Sequence, residues 1–267
     1  MSDSIVKKKE HLYKLIENYQ SLVVAFSGGV DSTLILALAQ EILKEKVIAV
    51  TITSPLQALK EREQAISLVR HFNVSYVTID INFLADESIV QNTKTRCYTC
   101  KKRMFKEMKA MAKSLGFNAI VDGSNADDLN DTRPGLLATK EMEIRSPFVE
   151  SYITKSDIRK ISKTMNLPTW NKPPMACLAT RIPYYLKITP TKLRQIESAE
   201  SVLTSLGFEG FRVRHFDKIA KIEVSPQDIE RVVDMEIRKI LINEFKAIGF
   251  LYITLDIEGY RQGSMNM

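Results

Sequence analysis

Apolar positions in the first half of the chain switch between two patterns. Ile5, Leu12, Leu15 and Ile16 recur close to helical spacing, which predicts a helix over residues 4–19. Residues 22–26 form a short unbroken apolar run that ends in Ser27-Gly28-Gly29. That is the pattern of a strand buried on both faces and entering a tight loop. The switching continues, with helices predicted over 33–43, 58–72 and 101–115 and strands over 47–52, 74–79 and 119–121. Gly116 is placed to close the third of these helices. Strand and helix in alternation predict an α/β fold with a doubly wound parallel sheet, whose ligands sit beyond the carboxyl ends of the strands. The polar loops after residues 26 and 121 fall at such ends.

One further helix precedes a stretch of different character, and the pattern changes after Thr189. Residues 154–165 read as a helix with Thr154 as N-cap. Residues 167–190 hold five prolines, Pro168, Pro173, Pro174, Pro183 and Pro190, so they cannot be one regular element. A helix over 191–206, paired strands over 211–216 and 219–224, a long helix over 226–247 and a strand over 251–257 then predict a smaller C-terminal α+β domain. The expected division is therefore 1–166, a connecting loop at 167–190 that carries Cys177, and 191–267.

Composition narrows the class without choosing a function. The 267 residues are 45% hydrophobic and 26% charged, ordinary for a globular chain. No apolar run approaches the roughly 20 residues of a membrane span. The first ten residues lack the apolar centre of a secretory signal, so a cytoplasmic location is expected. The formal charge of +6 suits an anionic small-molecule substrate as well as a plain basic surface. No basic stripe interleaved with aromatics is present, so nucleic acid is not an expected partner.

The hexapeptide Ser27-Gly28-Gly29-Val30-Asp31-Ser32 has a mechanical reading between a strand and a helix. Glycines let the backbone approach an anion, successive N–H groups form a nest, and the helix start adds its positive end. Ser27 and Ser32 add hydroxyl donors. Asp31 suits such a loop if it helps hold Mg²⁺. No Gly-Lys-Ser/Thr follows, so this is not a Walker loop. The cluster Asp122-Gly123-Ser124-Asn125-Ala126-Asp127-Asp128 ends another strand. Asp128 is the better candidate there for metal or phosphate contact, and Arg133 a candidate to neutralise phosphate charge.

Cys97-Tyr98-Thr99-Cys100 is a C-x-x-C, open by itself to a redox pair, half a zinc site or part of an iron–sulfur site. Cys177 is far away in sequence. His11, His71 and His215 lack ligand-like spacing for zinc. Three thiolates without a fourth are compatible with a [4Fe–4S] cluster that keeps one iron open to sulfide.

The hexapeptide resembles the pyrophosphate loop of the N-type ATP pyrophosphatases, which include NAD synthetases, GMP synthetases and RNA thiolases. The resemblance implies cleavage of ATP between the α and β phosphates and an adenylated carboxylate. It places Ser27, Gly28, Gly29, Asp31, Ser32, Asp128 and Arg133 about the nucleotide, with Thr51 and Thr53 on the strand under the adenine. Over nearly its full length the chain looks like the LarE family, the ATP-dependent sulfur-insertion enzymes of nickel-pincer nucleotide biosynthesis. The matching residues are 27–32, 122–135, 172–181, Arg212-Val213-Arg214 and the tail Gly259-Tyr260-Arg261-Gln262-Gly263-Ser264. Thr180 stands where the family commonly has Ser, and Tyr185 where it commonly has Gly.

That resemblance implies a pyridinium-3,5-biscarboxylic acid mononucleotide substrate, magnesium, a sulfide donor and a homo-oligomer whose C-terminal domain serves substrate binding and assembly. It implies that Cys177 delivers sulfur, that Glu200 lies near the transfer centre, and that Arg181, Arg212 and Arg214 hold the substrate phosphate. Alternation on a strand puts Arg212 and Arg214 on one face, whereas Glu200 by itself reads as a solvent-facing helix residue. Members with only the one cysteine give up its own sulfur. The additional Cys97 and Cys100 favour a [4Fe–4S] cluster as sulfide carrier, with self-sacrifice of Cys177 as the alternative. A tRNA thiolase of the same superfamily and a non-catalytic, redox-sensing nucleotide-binding regulator are the rival functions.

Overall fold

The computed structural model describes residues 3–130, 134–174 and 176–261. In chain order its elements are α1 (Asp3–Tyr19), β1 (Leu22–Ala25), α2 (Val30–Leu43), β2 (Val47–Thr53), α3 (Leu59–His71) and β3 (Ser75–Asp80). There follow α4 (Glu87–Val90), α5 (Arg96–Leu115), β4 (Ala119–Val121), α6 (Pro134–Glu141), α7 (Pro147–Glu150) and α8 (Lys155–Thr164). The remainder are α9 (Pro190–Ser205), β5 (Arg212–Phe216), β6 (Ile219–Glu223), α10 (Ile229–Val233), α11 (Met235–Ile248) and β7 (Tyr252–Leu255). They divide between two compact units. The first comprises Met1–Ser54, Leu59–Ile81 and Cys97–Met175; the second comprises Pro55–Ala58, Asn82–Arg96 and Ala176–Met267.

The first unit is an α/β layer structure around a four-stranded parallel sheet in the order β3-β2-β1-β4. Val24 of β1 aligns with Ala49 on one side and Val121 on the other. An inner position buries both faces of β1 and explains its unbroken apolar run. β3 is an edge strand, and its burial falls off accordingly. Leu34, Ile35 and Leu38 of α2 pack with Leu22 and Val24 of β1 and with Ile158 and Ile161 of α8 in one core. Truncating a fully buried Leu such as Leu34 to Ala in a core of this kind costs about 2–5 kcal/mol. α8 begins with a capping box: Thr154 Oγ1 accepts from the Asp157 N–H at 3.2 Å, and the Asp157 carboxylate accepts from the Thr154 N–H at 3.2 Å.

The second unit is built on a three-stranded sheet in the order β5-β6-β7. β5 and β6 are antiparallel and turn at Asp217-Lys218, whereas β7 joins β6 in parallel. Leu203 of α9, Val213, Ile222 and the α11 residues Leu241 and Phe245 form its core with Phe250.

Three local expectations are corrected. α2 starts at Val30 rather than residue 33, because the end of the glycine loop already forms the first helical turn; Thr33 N–H donates to Gly29 O at 3.0 Å. α5 starts at Arg96 rather than Lys101, which puts Cys97 and Cys100 among its first five residues. The single helix expected over 226–247 is three pieces. A 3₁₀ turn at Pro226–Asp228 leads into α10, and the chain breaks at Asp234, whose ψ of 141° is extended. The Asp234 carboxylate accepts from the N–H groups of Glu236 and Ile237 at 3.0 and 3.3 Å, so a new helix start offsets the break.

Candidate active site

The pyrophosphate-loop residues lie where β1 passes into α2. Gly28 has φ +72°, and a Cβ there would lie 3.0 Å from Ala65 of α3, so the position needs glycine twice over. Gly29 is the N-cap of α2 and contributes no side chain, which leaves the positive helix end facing the loop. The hydroxyls are ordered by one another. Ser27 Oγ and Ser32 Oγ are 3.1 Å apart, Ser27 N–H donates to Ser32 Oγ at 3.2 Å, and Gly29 N–H donates to Ser27 Oγ at 3.3 Å.

The acidic loop after β4 packs against this turn. A Cβ on Gly123 would come within 2.9 Å of Asp31 Cβ and 3.3 Å of Ser32 N. Asp31 is ion-paired with Lys155, whose Nζ is 2.6 Å from Oδ1. Asp127 accepts from the Lys155 N–H at 2.8 Å, so Lys155 joins the two acidic segments at the start of α8. The Asp128 carboxylate accepts from Asn125 N–H at 2.9 Å. Buried Asp122 is the hub of the loop. It accepts from Ser124 Oγ, Ser146 Oγ and Thr139 Oγ1 at 2.8, 2.7 and 3.3 Å, and Lys101 Nζ is 3.3 Å away. Those bonds give Asp122 a structural task. Thr51, buried on β2, donates to Phe26 O at 3.1 Å, and Thr53 bonds the Asp80 carboxylate. Arg133 lies outside the described residues.

The second unit holds Cys177 at the start of a 3₁₀ turn, Leu178–Arg181. Its carbonyl accepts from Thr180 Oγ1 at 2.8 Å and from Arg181 Nη1 at 3.2 Å. Arg181 also donates to Ala176 O at 2.5 Å and grips Glu200 through Nε and Nη2 at 3.0 and 3.1 Å. Glu200 therefore does not face solvent as its helix position suggests. Its Oε1 also accepts from Val213 N–H at 3.1 Å, tying α9 to β5. Arg214 is buried and donates to Glu223 Oε2 at 2.9 Å through Nε and to Thr180 O at 3.0 Å through Nη1. Glu223 is fully buried, with Lys221 Nζ 3.2 Å from its other oxygen. The guanidinium of Arg212 stacks over the Tyr260 ring at 4.9 Å. Burial, then the charge of Arg181 and more weakly that of Arg214, pull its pKa below the ordinary value, against Tyr260 and Glu200. Three guanidiniums thus crowd together, an arrangement that an anion relieves.

Cys97, Cys100 and Cys177 are all half-buried, and none is in a disulfide. Cys97 and Cys100 are three apart in one helix turn and so share a face. Their soft thiolate donors suit iron, but Cys177 belongs to the other unit. Among the described residues no three His, Cys, Asp or Glu side chains form a group that could hold a metal ion. The donor chemistry fits an iron–sulfur cluster, and no reaction step is routed through one. Sequence reading gave no role to Lys101, Lys155 or Lys172, although residue 172 opens a stretch that matches the LarE family; Lys172 Nζ lies 3.1 Å from Gly28 O. Each is an ordinary lysine in a polar segment, and only the fold brings it to the loops.

The NAD synthase family model matches residues 5–116, which include the 27–32 loop. A pyridinium-3,5-bisthiocarboxylic acid mononucleotide synthase from Lactiplantibacillus plantarum is 34% identical over 265 residues, 98% of this chain and 95% of that protein. The chain belongs to that synthase's family, the LarE family. An uncharacterized protein of Synechocystis is 38% identical over 97% of both chains. A glutamine-hydrolyzing GMP synthase component of Pyrococcus furiosus is 23% identical over 68% of this chain and 62% of its own. This LarE-family chain is an ATP-dependent enzyme of the ATP pyrophosphatase type, with the parallel sheet that such enzymes share. Among its described residues no helix is long and apolar enough to cross a membrane.

Proposed function

We propose that this protein uses magnesium ATP to activate a carboxylate of pyridinium-3,5-biscarboxylic acid mononucleotide and then replaces an oxygen of that carboxylate with sulfur. The observation that carries this reading is end-to-end similarity to a synthase whose name contains the bisthiocarboxylic product. In the first step a carboxylate oxygen attacks the α-phosphorus of ATP, and pyrophosphate leaves into the 27–32 loop. Backbone N–H groups, Ser27 and Ser32 disperse its charge, and Asp31 and Asp128 are the carboxylates that would hold its magnesium. In the second step a sulfur nucleophile attacks the activated carbonyl carbon and AMP leaves, which yields a thiocarboxylate. Arg212 serves the mononucleotide phosphate. The Arg181–Glu200 pair holds the turn that presents Cys177.

Cys97, Cys100 and Cys177 are assigned to a [4Fe–4S] cluster, which when bound would carry a labile sulfide and spare the protein. The two added thiols on one helix face support this assignment. A sulfide donor, a homo-oligomer and a cytoplasmic location complete the reading.

Pyrophosphate release from ATP tests the enzyme claim. It should depend on the biscarboxylate mononucleotide, and equal release without that substrate would sink the assignment. Iron and acid-labile sulfide measured on anaerobically prepared protein test the cluster. Cys97→Ala should lose iron together with multiple turnover. If that variant keeps full activity while the parent loses one H₂S in mass per turnover, Cys177 is the sacrificial donor instead.

A further inference from the structure

A phosphate loop of this sequence has an unresolved charge balance. It contains Asp31 and no lysine or arginine, yet it has to receive pyrophosphate. Lys155 is already occupied with Asp31. A second lysine reaches the loop from far along the chain: Lys172 Nζ donates to Gly28 O at 3.1 Å. We propose that Lys172 is the cation of the pyrophosphate loop, setting the Gly28–Gly29 peptide and neutralising the bound pyrophosphate. The inference deepens the reading of residues 27–32 as a pyrophosphate site and rests on it.

Three features of the first unit support it. In a trans peptide the carbonyl and the next N–H point in opposite directions. An ammonium on Gly28 O therefore fixes the plane of the Gly28–Gly29 peptide, whose N–H donates to Ser27 Oγ at 3.3 Å. The lysine's own backbone is pinned. Its N–H donates to Thr169 O at 3.0 Å, its carbonyl accepts from Arg159 Nη2 at 2.9 Å, and Trp170 O accepts from Arg159 Nη1 at 2.8 Å. Pro173 follows, and a residue before proline is held out of the helical region. Finally, the ammonium is half-buried. Burial lowers its pKa, with the charge of Glu61 on α3 opposing that shift, and the group that accepts its hydrogen bond is a neutral carbonyl. A buried cation in contact with a neutral acceptor gains more from an arriving anion than one already ion-paired.

The test is calorimetric titration of the full chain with magnesium pyrophosphate and, separately, with adenosine. Lys172→Met is expected to weaken magnesium pyrophosphate tenfold or more while adenosine stays within twofold. Lys172→Arg, which keeps the charge, should recover most of the pyrophosphate affinity. Equal pyrophosphate affinity in parent and Met variant overturns the proposal, as does an equal loss of both ligands, which marks a merely structural lysine. An Arg variant as weak as Met overturns the role of charge. A parent that binds no magnesium pyrophosphate defeats the loop assignment itself, and Lys172 with it.

Discussion

Arg181 directs its donors to Glu200, to the Ala176 and Cys177 carbonyls and to Thr180 Oγ1. Arg214 is likewise committed to Glu223 and Thr180 O. Both arginines therefore hold the backbone around Cys177. Arg212 stacks on Tyr260 and donates to Phe211 O at 2.6 Å, burial and then the charge of Arg181 lower its pKa, and it is the residue we propose for the mononucleotide phosphate. The two roles separate in kinetics. Arg212→Ala should raise the KM for the mononucleotide tenfold or more with a smaller change in kcat, because it removes binding common to ground and transition state. Arg181→Lys should lower kcat at least tenfold with KM near parental. A lysine cannot grip Glu200 bidentately and also reach two carbonyls. A rise in KM alone for Arg181→Lys would assign that residue to phosphate after all. The family resemblance gathers all three arginines at the substrate phosphate and does not divide their work. Strand alternation gives the face of Arg212 and Arg214, but Glu223 reaches Arg214 from the neighbouring strand.

At the scale of elements, hydrophobic periodicity carried most of the α/β half, because buried parallel strands leave unbroken apolar runs such as that of β1. It failed where a polar device overrides pattern. Apolar spacing runs through Asp234 without a gap, and what breaks the helix is the carboxylate that caps α11. The start of α5, Arg96 to Lys101, has too few apolar positions to announce a helix. His215 on β5 is similar: in the sequence it is only a histidine without ligand spacing. It is buried, with Nε2 2.9 Å from Gln195 Oε1 of α9 and its ring 5.1 Å from that of Phe250. Burial first, then Lys192, lowers its pKa, with Asp217 opposing. The unfolded chain therefore binds this proton at a higher pH than the folded one. Stability is full above the unfolded histidine pKa of about 6.5 and is lost as pH falls through and below it. His215→Gln should flatten that part of a denaturant-midpoint profile between pH 7 and 5. Parallel profiles for parent and variant would reject the linkage.

At the scale of the whole molecule, the second unit draws on three separate stretches of chain, and Asn92 ties two of them, Asn82–Arg96 and the stretch that begins at Ala176. It is fully buried at φ +56°, a left-handed conformation that Asn tolerates better than most residues. Its Nδ2 donates among the carbonyls of Ile182, Pro183 and Leu186 at 3.2, 2.7 and 3.1 Å, and its Oδ1 receives Arg96. Its own carbonyl accepts from Tyr185 N–H at 3.0 Å. Residues 182–186 belong to the same proline-rich stretch as the Cys177 turn. Prolines cannot donate from the backbone, so that stretch depends on side chains elsewhere to satisfy its carbonyls. Asn92→Ala removes those donors, takes one acceptor from the Arg96 guanidinium and places a Cβ-bearing residue without local hydrogen bonding at positive φ. The expected loss is about 3 kcal/mol or more, a size reached when buried polar groups are left unpaired. Asn92→Gly removes the same hydrogen bonds without the backbone strain and should be milder by about 1 kcal/mol. Hydrogen exchange should rise in both variants at residues 82–96 and 182–188 together. Exchange confined to the first segment would mean that the proline-rich stretch is held by something other than Asn92.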